Sequence, residues 1–289
     1  MKNLLITGSN GFLGKSLLPK LINCYSVSVI VKKIPEKKYS KVRYIVADLF
    51  NEEKIEKILK LRRFNYLIHL AWDAKPKFFW SSKNNFKFLH ASKNLYNNFC
   101  INGGKYAILI GSAAECNLKS NIIKESENEK VLFKSRYEIS KYLLMKNVQK
   151  ISDIFNIKYA WLRIFWTYGP NQPRGKLISD FEYSINKKRN FVIKNKSDSV
   201  NLMHVEDIAE AIFKLFTNKS TGLINVASKN SYKVYELFLN NYTKNLRNII
   251  VFKTNKQTYS FKKIIINKLK KVSFYEKNSI IGYINSKIK

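Results

Sequence analysis

Leu4-Leu5-Ile6-Thr7-Gly8-Ser9-Asn10-Gly11-Phe12-Leu13-Gly14 stands at the head of this chain, and an apolar-periodic stretch from Phe12 to Ile22 follows it at once. The pattern reads as a strand, a glycine turn and a helix. Each glycine has its own task in such a turn: one makes the tight bend, one lets the backbone approach a pyrophosphate, and one lets the helix pack close on the sheet. A phosphate would meet the free N–H groups at the helix N-terminus, where the dipole favours an anion. Any tight strand-to-helix turn can use glycines, so the weight comes from the place of this one between a buried strand and a helix. Gly8, Asn10, Gly11, Phe12, Leu13 and Gly14 are the candidate dinucleotide contacts.

The 289 residues are 45% hydrophobic, which suffices for a large core and argues against a disordered chain. Lys and Arg number 53 against 20 Asp and Glu, a formal charge of +33. Lysine is spread through every segment rather than gathered in one stripe with aromatics between, so no specific nucleic-acid partner is expected. The apolar run before Gly8 is too short for a secretory signal, and no stretch is long enough to span a bilayer. The expectation is a cytoplasmic protein with no membrane span. Cys24, Cys100 and Cys116 have no paired spacing, which predicts free thiols, no disulfide framework and no metal site.

Buried-strand candidates recur at Asn3 to Thr7, Val27 to Val31, Arg43 to Val46, Tyr66 to Leu70, Tyr106 to Ile110 and Tyr159 to Ile164. Helical patterns lie between them, including Glu52 to Leu61, Asn84 to Cys100 and Ser135 to Ile154. This alternation predicts an α/β fold, a doubly wound parallel sheet with helices on both faces. Gly169-Pro170-Asn171-Gln172-Pro173 breaks the rhythm and leads to a helix over Lys176 to Ile185. The segments Leu202 to Phe216 and Leu223 to Val226 read as a return to the first lobe. The expected division is therefore residues 1–168 and 200–228 for the dinucleotide-binding domain, with 169–199 and 229–289 as a smaller C-terminal substrate lobe.

A tyrosine and a lysine four apart on a helix share a face, so the ammonium can lower the phenol from about 10 toward neutrality. Tyr137/Lys141 have that spacing, and so do Tyr142/Lys146, Tyr183/Lys187, Tyr259/Lys263 and Tyr283/Lys287. Spacing alone does not choose among them. Tyr137-Glu138-Ile139-Ser140-Lys141 lies between the fifth and sixth strand candidates, and the fifth runs into Gly111-Ser112-Ala113-Ala114-Glu115. Tyr142 is turned roughly 140° around the helix from Tyr137, away from a hydroxyl that Tyr137 could reach.

The spacing Gly-x-x-Gly-x-x-Gly after Thr7 resembles the short-chain dehydrogenase/reductase superfamily, and the length resembles its extended branch, the epimerase/dehydratase family acting on nucleotide sugars. Tyr137-x-x-Ser140-Lys141 is similar to the family's catalytic helix, and Ser112 to the hydroxyl that holds the substrate's reacting oxygen. His69-Leu70-Ala71-Trp72 looks like the turn beside the cofactor pyrophosphate, and Asp48-Leu49 resembles the pair whose carboxylate accepts from the adenine amino group. Leu162-Arg163 with Tyr168-Gly169-Pro170 resembles the strand and turn near the nicotinamide. His204-Val205-Glu206-Asp207-Ile208-Ala209 is similar to a family helix start, read as scaffolding with Asp207 an N-terminal helix anion. His69 alone reads as a core histidine and Arg163 as a structural ion-pair partner. The resemblance covers residues 1 to 228 and implies a Rossmann-type fold. It makes Ser112, Tyr137 and Lys141 catalytic, and it adds Leu70, Ala71, Trp72, Asp48, Leu49 and Lys141 to the cofactor contacts.

Departures from the family narrow the expectation. Its dehydratases carry an Asp-Glu pair immediately after the hydroxyl residue, where this chain has Ala113 and Ala114; dehydration is not expected, and Ala113 is left as a substrate contact beside Ser112 and Tyr137. Two residues that hold the substrate diphosphate in many epimerases are replaced by Trp166 and Val200, and an active-site Asn by Phe88. Arg174 or a lysine is then the candidate phosphate contact. The second strand ends in Lys32-Lys33 without an acid to accept from a ribose 2′-hydroxyl, which favours NADPH over NAD with Lys32 at the 2′-phosphate. The leading expectation is an NAD(P)-dependent 4-ketoreductase of a nucleotide-linked sugar, in the making of a surface polysaccharide sugar. The alternatives are a 4-epimerase with tightly held NAD and a non-catalytic dinucleotide-binding or basic RNA-associated protein. A homodimer stays open, since nothing in the sequence fixes the oligomeric state.

Overall fold

The computed structural model describes residues 2–73, 78–126, 133–239, 249–254 and 258–288. In chain order the strands are β1 (Asn3–Thr7), β2 (Ser26–Val31), β3 (Val42–Val46), β4 (Tyr66–His69), β5 (Tyr106–Ser112), β6 (Ile122–Ile123), β7 (Lys158–Ile164) and β8 (Trp166–Tyr168). They continue as β9 (Phe191–Asn195), β10 (Ser199–Val200), β11 (Leu202–His204), β12 (Gly222–Val226), β13 (Tyr232–Lys233), β14 (Ile250–Thr254) and β15 (Lys263–Ile264). The principal helices are α1 (Phe12–Leu21), α2 (Glu52–Leu61), α3 (Asn84–Ile101), α4 (Arg136–Phe155), α5 (Leu177–Asn186), α6 (Val205–Thr217) and α7 (Val234–Leu239).

Seven strands pair in parallel in the order β12-β7-β5-β4-β1-β2-β3. The chain winds one way from β1 to β3 and the other way from β4, so a crevice opens at the carboxyl ends of β1 and β4, where doubly wound sheets bind ligands. The strands are nearly continuous apolar runs because both faces are covered. Leu4, Ile6, Val29 and Ile68 face α1 and α6, whereas Leu5, Ile30, Leu67 and Leu109 face α2, α3 and α4. A polar clamp, Lys20 to Glu210 at 3.0 Å, ties α1 to α6.

The expectation of a doubly wound α/β sheet is met, and strand and helix limits fall within a residue or two of the pattern reading. One difference concerns Leu202 to Phe216. Its first three residues form β11, which pairs with β8 in a two-stranded ribbon beside the main sheet, and the helix starts only at Val205, capped by His204. Asp207 in that first turn accepts from the Lys277 and Asn278 backbone N–H groups, an anion at a helix start as read. A further apolar cluster gathers Tyr168, Phe181, Phe191, Leu202, Phe238 and Ile284. Residues 240–248 and 255–257 of the expected C-terminal lobe lie outside the described residues.

Candidate active site

The glycine turn caps the crevice. Gly8 has φ +75°, and a Cβ on it would stand 2.6 Å from the Ala71 backbone nitrogen, so the turns after β1 and β4 abut. A side chain at Gly14 would run into the Gly8 carbonyl oxygen and the Ser9 backbone, which is why α1 can start so close to the sheet. Gly11 differs: it caps α1 at φ −75°, an ordinary conformation, and its missing Cβ is 3.2 Å from the Gly8 oxygen. No side chain caps α1. Its first-turn N–H groups, of Phe12, Leu13 and Gly14, therefore point to where an anion can sit.

A cavity of about 360 Å³ runs from this turn to β5, α4 and the start of α5. Gly8, Gly11, Phe12, Leu13, Gly14, Leu70 and Trp72 line one part, and Ser112, Ala113, Tyr137 and Lys141 line another. The capping box of Ser135 and Glu138 fixes the start of α4 and so puts Tyr137 in its first turn. The Tyr137 ring stands edge-on to Phe79, Trp80 and Trp72, with centroids 4.9, 5.5 and 6.3 Å away. Ser112, at the end of β5, lines the same cavity as this ring.

Burial pushes the Tyr137 phenol up to about 12, against the pull of the Ser112 hydrogen bond. This corrects the expectation that Lys141 lowers it. The Lys141 ammonium donates instead to the Ile110 carbonyl oxygen at 2.8 Å and lies 3.8 Å from the centre of the Trp72 ring. Burial takes that ammonium down to about 7, while the Glu115 charge resists. Desolvation is the largest influence at both groups.

Glu115 is the residue the sequence reading passed over. Its side chain is fully buried, one oxygen accepting the Ser112 N–H at 2.7 Å and the other the Trp161 indole N–H at 2.7 Å. The Arg163 guanidinium Nε lies 3.7 Å away and is itself 95% enclosed, with 5% exposure. Gly111 makes room for this group, because a Cβ there would meet the Trp161 nitrogen and the Glu115 carboxylate. Burial raises the Glu115 carboxyl above the usual range, and the charges of Arg163 and Lys141 oppose it. Arg163 is thus the structural ion-pair partner that its type suggested. His69 is a core residue, bonded to Thr7 at 2.7 Å and Ser92 at 2.8 Å and driven down to about 3 by burial.

Other expected site residues lie elsewhere. Arg174 is a correction: its guanidinium is exposed, paired with Asp180 at 2.7 Å and stacked 3.4 Å from the Tyr183 ring, and it does not line the cavity. The short Pro173-to-Lys176 turn points it back along α5. Lys176 takes the cavity position instead, 4.6 Å from the Phe79 ring, with burial lowering its ammonium. A lysine in a chain so full of lysines gave no signal of its own. Asn10 is exposed and donates to the Lys33 carbonyl oxygen at 3.4 Å. Lys32 and Asp48 pair at 2.9 Å across the ends of β2 and β3, beside buried Leu49, and lie outside the cavity lining. Of the competing tyrosines, Tyr142 packs on Phe133 at 4.8 Å, Tyr183 under Arg174, and Tyr283 on Tyr168 at 5.0 Å. Tyr259 does line the cavity, 5.5 Å from Trp166.

The sequence profile of the NAD dependent epimerase/dehydratase family matches residues 4–227. The chain belongs to that family. Among its relatives, a dTDP-6-deoxy-L-talose 4-dehydrogenase (NAD(+)) of Aggregatibacter actinomycetemcomitans is 20% identical over 243 residues, covering 78% of this chain and 84% of the relative. A putative UDP-glucose 4-epimerase of Methanocaldococcus jannaschii is 25% identical over 249 residues, covering 81% and 80%. The crystal structure of UDP-glucuronic acid 4-epimerase from Bacillus cereus, in complex with UDP-glucuronic acid and NAD, superposes with a TM-score of 0.81 at 17% identity, over 99% of this chain and 98% of that one.

For a member of an NAD-dependent family the question is whether the residues present fit a dinucleotide. The turn does: backbone stands where Cβ atoms would be at Gly8 and Gly14, and an uncapped helix start opens on the cavity. The nicotinamide-side residues also fit, since Ser112, Tyr137 and Lys141 line the same cavity as the turn.

Proposed function

We propose that this chain is an NAD(P)-dependent oxidoreductase of a nucleotide-linked sugar, acting as a 4-ketoreductase. The observation that carries the reading is that Ser112, Tyr137 and Lys141 line one cavity with the glycine turn. When bound, the nicotinamide supplies or accepts the hydride. Ser112 Oγ orients the substrate's reacting oxygen, and Tyr137 Oη moves the proton at that oxygen. Lys141 holds the nicotinamide ribose. The Glu115 carboxylate holds the Ser112 backbone in place from behind.

Reduction is placed ahead of epimerisation because two positions that hold the substrate diphosphate in many epimerases are Trp166 and Val200 here. The likeness to 4-epimerases keeps that second reading in view, and cofactor behaviour separates the two. A ketoreductase consumes reduced cofactor stoichiometrically when given a nucleotide 4-keto sugar; an epimerase interconverts two nucleotide sugars with no net consumption. Interconversion without consumption by the purified chain would overturn the reductase reading.

NADPH is the preferred cofactor on this account. No acid at the end of β2 accepts from a 2′-hydroxyl. The Lys32–Asp48 pair there is solvent-exposed and so worth about 1 kcal/mol or less, which lets Lys32 turn to a 2′-phosphate. Residues 169–199 and 229–289 form the substrate lobe and contribute Lys176, Leu177 and Tyr259 to the cavity, with Lys176 taking the phosphate role expected of Arg174. The spread charge serves no specific nucleic-acid binding.

A further inference from the structure

A second cavity, of about 530 Å³, lies at the amino ends of β1, β2 and β3, the edge of the sheet opposite the glycine turn. We propose that it binds a small molecule carrying a pyrophosphate or longer phosphate chain, at a site separate from the active site.

The register explains how the cavity forms. Asn3 pairs with Ser26, Leu5 with Ser28, and Ser28 with Arg43, so these side chains fall on one face of the sheet. Farther along, that face is apolar, with Leu5 and Ile30 packed on Ile55 and Leu59 of α2. At its amino edge it changes to Ser26, Ser28 and Arg43. Arg62 and Arg63, directly after α2, close the other side against Phe64.

The cationic groups differ in kind from the general surface charge. The chain has 45 lysines and eight arginines, and Arg43, Arg62 and Arg63 line this one cavity together with Lys41. Uniform lysine enrichment does not gather scarce arginines. Guanidinium groups recognise phosphate by paired hydrogen bonds, and lysines act only as point charges. No carboxylate lines the cavity. The three guanidinium groups are exposed, and among the described residues none has an ion-pair or hydrogen-bond partner. Lys41 donates to Asn23 at 3.2 Å, and Ser28 lines the cavity wall. Three guanidinium groups and one ammonium are more than a single phosphate pairs with, so a ligand of at least two phosphates matches the cations.

The test is calorimetric titration of the full chain with inorganic pyrophosphate and, separately, with ADP. The Gly11→Val chain is titrated in parallel, because its dinucleotide turn is blocked. Saturable binding of about one equivalent that persists in Gly11→Val supports the site; equal affinities point to pyrophosphate itself, and tighter ADP to a nucleotide. Arg62→Ala with Arg63→Ala should weaken binding about tenfold or more, whereas Lys37→Ala with Lys38→Ala, which removes the same charge, should leave it unchanged. Arg43→Lys keeps charge and fold while losing the fork, and should also weaken binding. No saturable binding in Gly11→Val, or equal loss in the lysine control, overturns the proposal. So does a single-stranded oligoribonucleotide that depends on these arginines when pyrophosphate does not bind.

Discussion

Glu115→Gln is the substitution whose cost the structure defines most closely. Glutamine has the same shape but one acceptor, and the site offers two donors, the Ser112 N–H and the Trp161 indole N–H, both at 2.7 Å. Whichever way the amide turns, one buried N–H faces another donor, which costs about 1–3 kcal/mol. Arg163, 3.7 Å away and nearly enclosed, loses its countercharge, and breaking a buried pair from one side typically costs about 3–5 kcal/mol in all. Against a total stability of about 5–15 kcal/mol this is a large share. Urea unfolding followed by fluorescence should show the midpoint fall with little change in slope. Adding Arg163→Met should recover part of the loss, with a coupling of about 2 kcal/mol or more in the double-mutant cycle. A loss below about 1 kcal/mol for Glu115→Gln, or strictly additive single costs, would refute the claim that Glu115 and Arg163 act as a unit beneath Ser112.

Gly11→Val should keep the fold and lose dinucleotide binding, while Gly14→Ala should lower the melting temperature because backbone fills the space its Cβ needs; cofactor titration and thermal melting of each variant check both halves. NADPH should bind more tightly than NADH, and Lys32→Ala should narrow the gap; tighter NADH binding to the parent would make Lys32 an ordinary surface charge. Lys141 carries a pH signature. Its folded value of about 7 lies below the ordinary 10.5, so between those limits the unfolded chain binds the extra proton and stability rises with pH. The rise should be smaller in Lys141→Met, and identical slopes in parent and variant would contradict it.

The fold was legible because buried parallel strands and amphipathic helices alternate with little exception from Asn3 to Val226, and because the glycine turn marks the first crossover. That Ser112, Tyr137 and Lys141 come together in one cavity was legible through their order along the chain. What stayed hidden depends on direction rather than type. Arg174 and Lys176 are two residues apart, yet one turns to Asp180 and the other into the cavity. Glu115 follows two alanines at the positions of the dehydratase pair, and only the pairing of β5 with β7 shows that its carboxylate sits behind Ser112 beside Trp161 and Arg163. The effect of Lys141 on Tyr137 was misjudged because helix spacing puts two groups on one face without saying what else each one meets.

Turnover of Tyr137→Phe with a nucleotide 4-keto sugar and NADPH, beside Tyr142→Phe, Tyr259→Phe and the parent, tests the central claim most directly. Tyr137→Phe removes one hydroxyl and little volume, so cofactor binding should stay near that of the parent while turnover falls by about two to four orders of magnitude. Tyr142→Phe, whose ring packs on Phe133 away from the cavity, should turn over like the parent. Normal turnover by Tyr137→Phe, or an equal loss in Tyr142→Phe or Tyr259→Phe, would contradict the mechanism even with the fold intact.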